Sequence, residues 1–336
     1  MRFLGMSKEI GIDLGTANTL IFVKGEGVVL REPSVVAINR DTKKVIAVGA
    51  EAKEMIGKTP ENIVAIRPIK NGVIANFDIT QTMLKEFLEK VSSKSTFTSP
   101  RIVVCYPSGI TEVEKRAIDE VTKQAGARDV HLIEEPMAAA IGSGLPVNEP
   151  IGSMIVDIGG GTTEAAVISL GAIVVSNSIR VAGDVLDGAI ISYIKREFNL
   201  LIGEKTAEKI KMEIGCTYKE EYEEELTKEV VGIDLLTRLP KTITITESQT
   251  KDALKDSIAL ILAVIKTTLE EIPPELSGDI MDQGIMLTGG GALLKGLSKL
   301  IYNETNIPTH IAEFPLDCVA IGAGDCLDTI DKVVNL

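Results

Sequence analysis

The sequence predicts an α/β protein of two similar domains facing one another, and three observations carry that expectation. An apolar strand ending in Asp, a Gly/Thr turn and a second apolar strand occur twice, over residues 9–24 around Asp13 and residues 153–169 around Asp157. The two copies are separated by roughly one domain length, too far for a solenoid repeat. A chain of 336 residues with 45% hydrophobic content is also long and apolar enough to bury two cores.

Element by element, the first fifty residues read as a β-meander. Residues 10–14, 19–23, 28–31, 35–39 and 45–48 are short β-rich runs, parted by turn sequences such as Gly25-Glu26-Gly27 and Asp41-Thr42-Lys43-Lys44. Residues 79–91 have helical spacing, with Met83, Phe87, Leu88 and Val91 on one side. A strand at 102–106 precedes a helix at 112–124, opened by Thr111 as N-cap with Glu114 three residues on. A strand at 130–133 leads into Glu134-Glu135-Pro136 and a small-residue helix at 137–141.

After the second copy of the motif, residues 185–198 and 207–214 read as helices, and the acidic run 219–228 as an exposed loop or helix. A strand at 241–247 precedes the longest helix, about 251–271, which ends at Pro273-Pro274. It is apolar around much of its circumference, the mark of core packing. A strand at 284–287 then enters Thr288-Gly289-Gly290-Gly291, followed by a helix at 297–302.

Composition excludes several functions. A net charge of −13 without a Lys/Arg cluster argues against nucleic acid as a partner. Cys105, Cys216, Cys318 and Cys326 show no CxxC spacing and lie far in sequence from His131 and His310, so reduced thiols are expected rather than disulfides or zinc. No stretch reaches the roughly 20 apolar residues of a membrane span, and the first residues lack the pattern of a signal peptide. The expected setting is the cytoplasm.

The chemistry concentrates in the Gly/Thr turns. Such a turn at a strand end presents backbone N–H groups in a concave array that binds phosphate oxygens without a lysine. Two of them can clamp a polyphosphate, and Asp13 and Asp157 facing those phosphates make sense as holders of a divalent cation, Mg2+ being the natural candidate. Gly57-Lys58-Thr59 is not a P-loop, because Ala52 stands where that motif needs glycine. No strand is followed by a dinucleotide-binding G-x-G-x-x-G either.

These features resemble the actin, sugar kinase and heat-shock-chaperone ATPase superfamily. Within it, D-L-G-T-A-N-T (13–19), R-E-P-S-V-V-A (31–37), I-E-E-P-M-A-A-A-I-G (133–142), V-D-I-G-G-G-T-T-E (156–164), A-E-K-I-K-M-E-I-G (207–215), L-T-G-G-G-A-L-L (287–294) and E-F-P-L-D-C-V-A-I-G (313–322) are similar to the MreB family of bacterial cell-shape filament proteins. The resemblance runs from about Glu9 to Gly324. It implies an actin-like fold of two duplicated ribonuclease-H-like domains around a nucleotide cleft. The expected domains are 1–150, with an inserted subdomain near 32–80, and 151–336, with an inserted subdomain near 185–255 and an adenosine turn near 288–292.

Carried over residue by residue, the resemblance implies ATP as cofactor. Gly15, Thr16, Ala17 and Asn18, with Gly159, Gly160, Gly161 and Thr162, would contact phosphate. Glu208, Lys209, Ile210 and Lys211 would lie near ribose and purine, and Gly289, Gly290, Gly291 and Ala292 would pass beneath the adenosine. Asp13 and Asp157 would hold Mg2+. Glu135 is the residue chosen to orient or deprotonate the attacking water, with Glu134 as the alternative.

The implied function is an ATP-hydrolysing protein that self-associates into double protofilaments at the inner face of the membrane and supports cell shape. A small-molecule kinase on the same fold is the second reading, and a chaperone ATPase module the third. Membrane contact is expected through Phe97 in its loop, or through Phe3, Leu4 and Met6 near the N-terminus.

Overall fold

The computed structural model describes residues 8–91, 99–220 and 222–333, with backbone alone for 328–333. Phe3, Leu4, Met6 and Phe97, expected at a membrane, lie outside the described residues.

In chain order the first half contains β1 (Glu9–Leu14), β2 (Asn18–Val23), β3 (Gly27–Pro33), β4 (Val36–Asn39), β5 (Val45–Val48) and α1 (Ala50–Met55). It continues with β6 (Ile63–Ile66), β7 (Ile69–Lys70), β8 (Val73–Ile74), α2 (Phe77–Val91), β9 (Arg101–Tyr106), α3 (Glu112–Gln124), β10 (Asp129–Glu134) and α4 (Glu135–Gly142). The second half contains β11 (Ser153–Ile158), β12 (Thr163–Ser169), β13 (Ala172–Ile179), α5 (Gly183–Phe198), β14 (Leu200–Leu201), α6 (Glu204–Ile214), β15 (Thr227–Asp234) and β16 (Pro240–Thr246). Then come α7 (Glu247–Glu270), α8 (Pro274–Gln283), β17 (Ile285–Thr288), a 3-10 turn (Gly290–Leu293), α9 (Leu297–Thr305), β18 (Thr309–Ile311) and α10 (Cys318–Val333).

Two five-stranded sheets repeat one topology, β3-β2-β1-β9-β10 and β13-β12-β11-β17-β18. In each, an antiparallel meander continues into two parallel strands. Strand period explains how each sheet serves two cores. Ile102 and Val104 of β9 join a core with Met83, Phe87 and Ile118, while Val103 and Cys105 point the other way. Met154, Val156 and Ile158 of β11 likewise face α5 and α7, while Ile155 faces the opposite side. The inner faces of both sheets thus meet one shared layer, made by Ala138, Ala139 and Ala140 of α4 and Val319, Ala323 and Leu327 of α10.

Small residues permit that layer. A Cβ on Gly322 of α10 would run into the Ala138 carbonyl of α4, and one on Gly142 of α4 into the Cys318 carbonyl of α10. The α10 helix, given by the expected boundary to the second domain, packs on β1, β2 and β9 of the first sheet. The layer between the two sheets is therefore shared, and α10, which lies beyond residue 150, contributes to it.

Local signals set the helix ends. Thr111 and Glu114 form the expected capping box of α3, and Thr246 with Gln249 forms another that starts α7 four residues before the periodicity suggests. The run 219–228 is expected as a solvated acidic loop or helix; its described residues before Thr227 are irregular, and it enters β15 at Thr227. Some of its charges are paired: Lys219 lies 2.5 Å from Glu225, and Lys295, which also lies 2.6 Å from Glu247, is 2.9 Å from Glu223. Among the described residues no helix is long and apolar enough to cross a membrane, and the four cysteines are free.

Candidate functional site

The two Gly/Thr turns are formed by strand register. Leu14 pairs Thr19 across β1–β2, leaving 15–18 at the first turn, and Ile158 pairs Thr163 across β11–β12, leaving 159–162 at the second. Ser34 braces the first turn, its hydroxyl donating to the Gly15 carbonyl at 2.7 Å and its N–H to the Ala17 carbonyl at 3.0 Å. The second is closed by the Gly159 N–H donating to the Thr162 carbonyl at 2.9 Å. The turns abut one another: a Cβ on Gly160 would sit 2.6 Å from the Ala17 Cβ, and one on Gly161 2.5 Å from the Thr16 hydroxyl. Glycine is required there because two backbones converge.

A third turn reaches the same place, and the sequence reading overlooked it. Asn71 and Gly72 at the tip of β7–β8 both have positive φ, 51° and 75°. The Gly72 N–H donates to the Thr16 hydroxyl at 2.8 Å, and the Asn71 Cα would lie 2.9 Å from a Cβ on Gly161. The signal was available in I-K-N-G-V-I, an Asn-Gly pair between apolar residues, which favours a two-residue hairpin.

Behind the turns lie four carboxylates. Asp157 stands opposite Glu164 across β11–β12, and the Thr288 hydroxyl donates to Asp157 Oδ1 at 2.9 Å. Burial pushes the Asp157 carboxyl up to about 6, against the lowering pull of that bond. Asp13 is raised to about 7 by burial and then by the charge of Asp157. Glu164 is raised to about 8 by burial and by Asp157, although the Ser108 N–H donates to its Oε1 at 2.8 Å. Its Oε2 is buried without a hydrogen-bond partner.

Glu135, first residue of α4, is held well above the usual carboxylate range by burial, then by Glu164, Asp13 and Asp157. Glu134, one residue earlier, instead accepts the Ser108 hydroxyl at 2.9 Å. The neighbours are thus set apart, Glu135 among the carboxylates and Glu134 toward the loop after β9.

Among the described residues, no lysine or arginine makes an ion pair with any of the four. Uncompensated buried carboxylates suit a divalent cation. No three acidic, His or Cys side chains converge closely enough, among the described residues, to hold a metal alone. That arrangement fits Mg2+, which typically takes one or two carboxylates and fills its shell with phosphate oxygens and water.

The remaining expected residues are spread along α6 and the β17 turn. The Glu208 carboxylate meets Lys53 of the first half at 2.8 Å. The Lys211 ammonium lies 2.9 Å from Asp187 and 2.9 Å from the Gly183 carbonyl, beside the second Gly/Thr turn. Burial raises Asp187 to about 6 against the pull of that lysine. Lys209 is exposed. The Ile210 side chain is fully buried in the second core. Gly289 (φ 77°) passes against the end of β11, where a Cβ would lie 2.9 Å from Asp157 Oδ1, and donates its N–H to the Pro315 carbonyl at 2.8 Å. Gly290 is exposed, and the Ala292 methyl is buried in the second core.

Paired sheets of this topology with facing glycine turns define an actin-like fold. The chain is 40% identical to MreB5 of Spiroplasma citri, solved bound to AMPPNP, with a TM-score of 0.93 and coverage of 98% of each chain. It shares its fold with the MamK double helical filament at a TM-score of 0.81 and 19% identity, over 96% of this chain and 99% of that one.

The chain belongs to the MreB/Mbl protein family, whose sequence model matches residues 7–335. It is 52% identical to the cell shape-determining protein Mbl of Bacillus subtilis (strain 168), covering 97% of this chain and 98% of that protein. It is 54% identical to the cell shape-determining protein MreB of Escherichia coli (strain K12), covering 98% and 96%.

Proposed function

We propose that this protein binds ATP with Mg2+ between its two halves, hydrolyses it to ADP and phosphate, and assembles into filaments that support cell shape at the inner face of the membrane. The observation that carries the reading is the convergence of two glycine turns on a carboxylate cluster that, among the described residues, has no lysine or arginine paired with it. Relatives named for determining cell shape, and a neighbour bound to AMPPNP at 40% identity, support it. So does a second solved structure of MreB5 bound to ADP.

In this reading the N–H groups of Gly15–Asn18 and Gly159–Thr162 hold the phosphates. Asp13 and Asp157 would hold Mg2+, which supplies charge neutralisation at the transferring phosphoryl group. Glu135 receives a proton from, or orients, the attacking water, because it sits among the carboxylates while Glu134 is occupied by Ser108. Glu208 and Lys211 flank the sugar and base, with the backbone of 289–292 on the other side. Self-association into paired protofilaments and peripheral membrane contact complete the reading, with no nucleic acid partner.

Incubation of the purified chain with ATP and Mg2+, read by phosphate release and by sedimentation, tests the whole. Polymer in the pellet with phosphate in solution is the expected result. Transfer of phosphate to an added sugar without polymer would replace the reading with that of a small-molecule kinase.

A further inference from the structure

On the side away from α4 and α10, the halves are joined by charges. Helix α1 of the first half offers Lys53 and Glu54, and α6 of the second offers Lys205 and Glu208, three residues apart and so on one helix face. Lys53 meets Glu208 at 2.8 Å, and Lys205 meets Glu54 at 3.9 Å. Each helix therefore gives one cation and receives one. Arg67, just beyond β6, pairs with Asp184 in the first turn of α5. The main apolar cores of the two halves are separate clusters, and neither Lys53 nor Glu54 belongs to one.

This position matters because α6 also borders the candidate site. Lys211, one turn beyond Glu208, reaches the Gly183 carbonyl beside Gly159 and Gly160. The α1–α6 ion pairs thus tether the first half to the helix that borders the second Gly/Thr turn. Lys53 and Glu208 are each about one-quarter exposed, at 27% and 26%, so their attraction is partly shielded from solvent.

We infer that Lys53 and Glu54 of α1, with Lys205 and Glu208 of α6, form a reciprocal electrostatic clasp that limits the rate at which nucleotide leaves the cleft. The clasp deepens the nucleotide-binding reading and rests on it. Exposed pairs are individually weak, so the expected effect of breaking one is about 1.5-fold to fivefold in a rate, and it is sensitive to salt. Glu208 is itself a candidate ligand for the sugar, so Lys53, Glu54 and Lys205 carry the test.

The experiment follows dissociation of a fluorescent N-methylanthraniloyl-ATP with Mg2+ from the full chain, chased by unlabelled ATP below the polymerisation threshold. Lys53→Glu should speed release about 1.5-fold to fivefold. Release from the unaltered chain should also quicken between about 50 and about 300 mM salt, and this dependence should flatten in the variant. Glu54→Lys and Lys205→Glu should each speed release, and their combination should return it toward the original rate. If Lys53→Glu does not fold, Lys53→Gln serves the same measurement. Unchanged release and unchanged salt dependence, with nucleotide still bound, would overturn the clasp. Failure of the unaltered chain to bind the probe would overturn the nucleotide reading instead.

Discussion

Thr288 donates its hydroxyl to Asp157 across the parallel pair of β11 and β17, at 2.9 Å, with both residues buried. One bond therefore ties the turn that begins at Gly289 to the carboxylate behind the second Gly/Thr turn. Thr288→Val keeps the shape and removes the donor. The carboxylate loses a buried partner at a cost of about 1–3 kcal/mol, and its proton affinity rises because the charged form was the one hydrogen-bonded. Denaturant unfolding should show that loss, and Mg2+-dependent nucleotide affinity should weaken, most at low pH.

Glu164 makes stability depend on pH. Its folded value of about 8 lies above the ordinary 4.5, so the folded chain holds the proton more tightly between those values. Stability contributed by this group is complete below about 4.5 and is lost as pH rises through about 8. Glu164→Gln, neutral throughout, should be more stable than the unaltered chain at pH 8 without ligand. Its unfolding free energy should also fall less steeply from pH 5 to 8. Asp13 and Asp157, raised to about 7 and about 6, act in the same direction, so some slope should survive in the variant. Equal slopes in the two proteins would show that Glu164 keeps an ordinary proton affinity.

Glu135→Ala should lower turnover about 10²–10⁴-fold with ATP affinity little changed, since a water-orienting group acts mainly in the transition state. Glu134→Ala should leave turnover within a few-fold, because that side chain is spent on Ser108. Single-turnover phosphate release beside equilibrium ATP binding separates the two. The reverse ranking would move the role to Glu134.

The sequence announced the two glycine turns, the aspartates at their strand ends and the helix caps, because each depends on neighbours along the chain. What it hid depends on neighbours in space. Ile210 sits between Lys209 and Lys211 in a motif, and only the packing of α6 shows that its side chain belongs to the core. Lys53 and Glu208 are ordinary helix charges until α1 and α6 meet. Gly322 and Gly324 weaken the helical propensity of α10, whereas in the structure they let it approach α4 and β2. Asn71-Gly72 was legible as a hairpin, but nothing local to it points toward Thr16.

Gly322→Ala tests that approach directly. The added methyl meets the Ala138 carbonyl in a layer with no room to yield, and overpacking of this kind costs about 1–3 kcal/mol. Thermal unfolding should drop accordingly, while Gly188→Ala in α5, where a Cβ meets nothing within 4 Å, should be neutral or slightly stabilising.

The shared layer also decides how the chain can be divided. Its first sheet is covered by α10, which follows the second sheet in the chain, so residues 1–150 alone would expose the inner faces of Val103 and Cys105. Residues 151–336 alone would carry α10 without the α4, β1 and β9 partners on which it packs. A chain that looks like one unit copied twice should thus unfold as a single cooperative unit, and its two pieces should recover native structure only when mixed, each acting as the template that the other lacks.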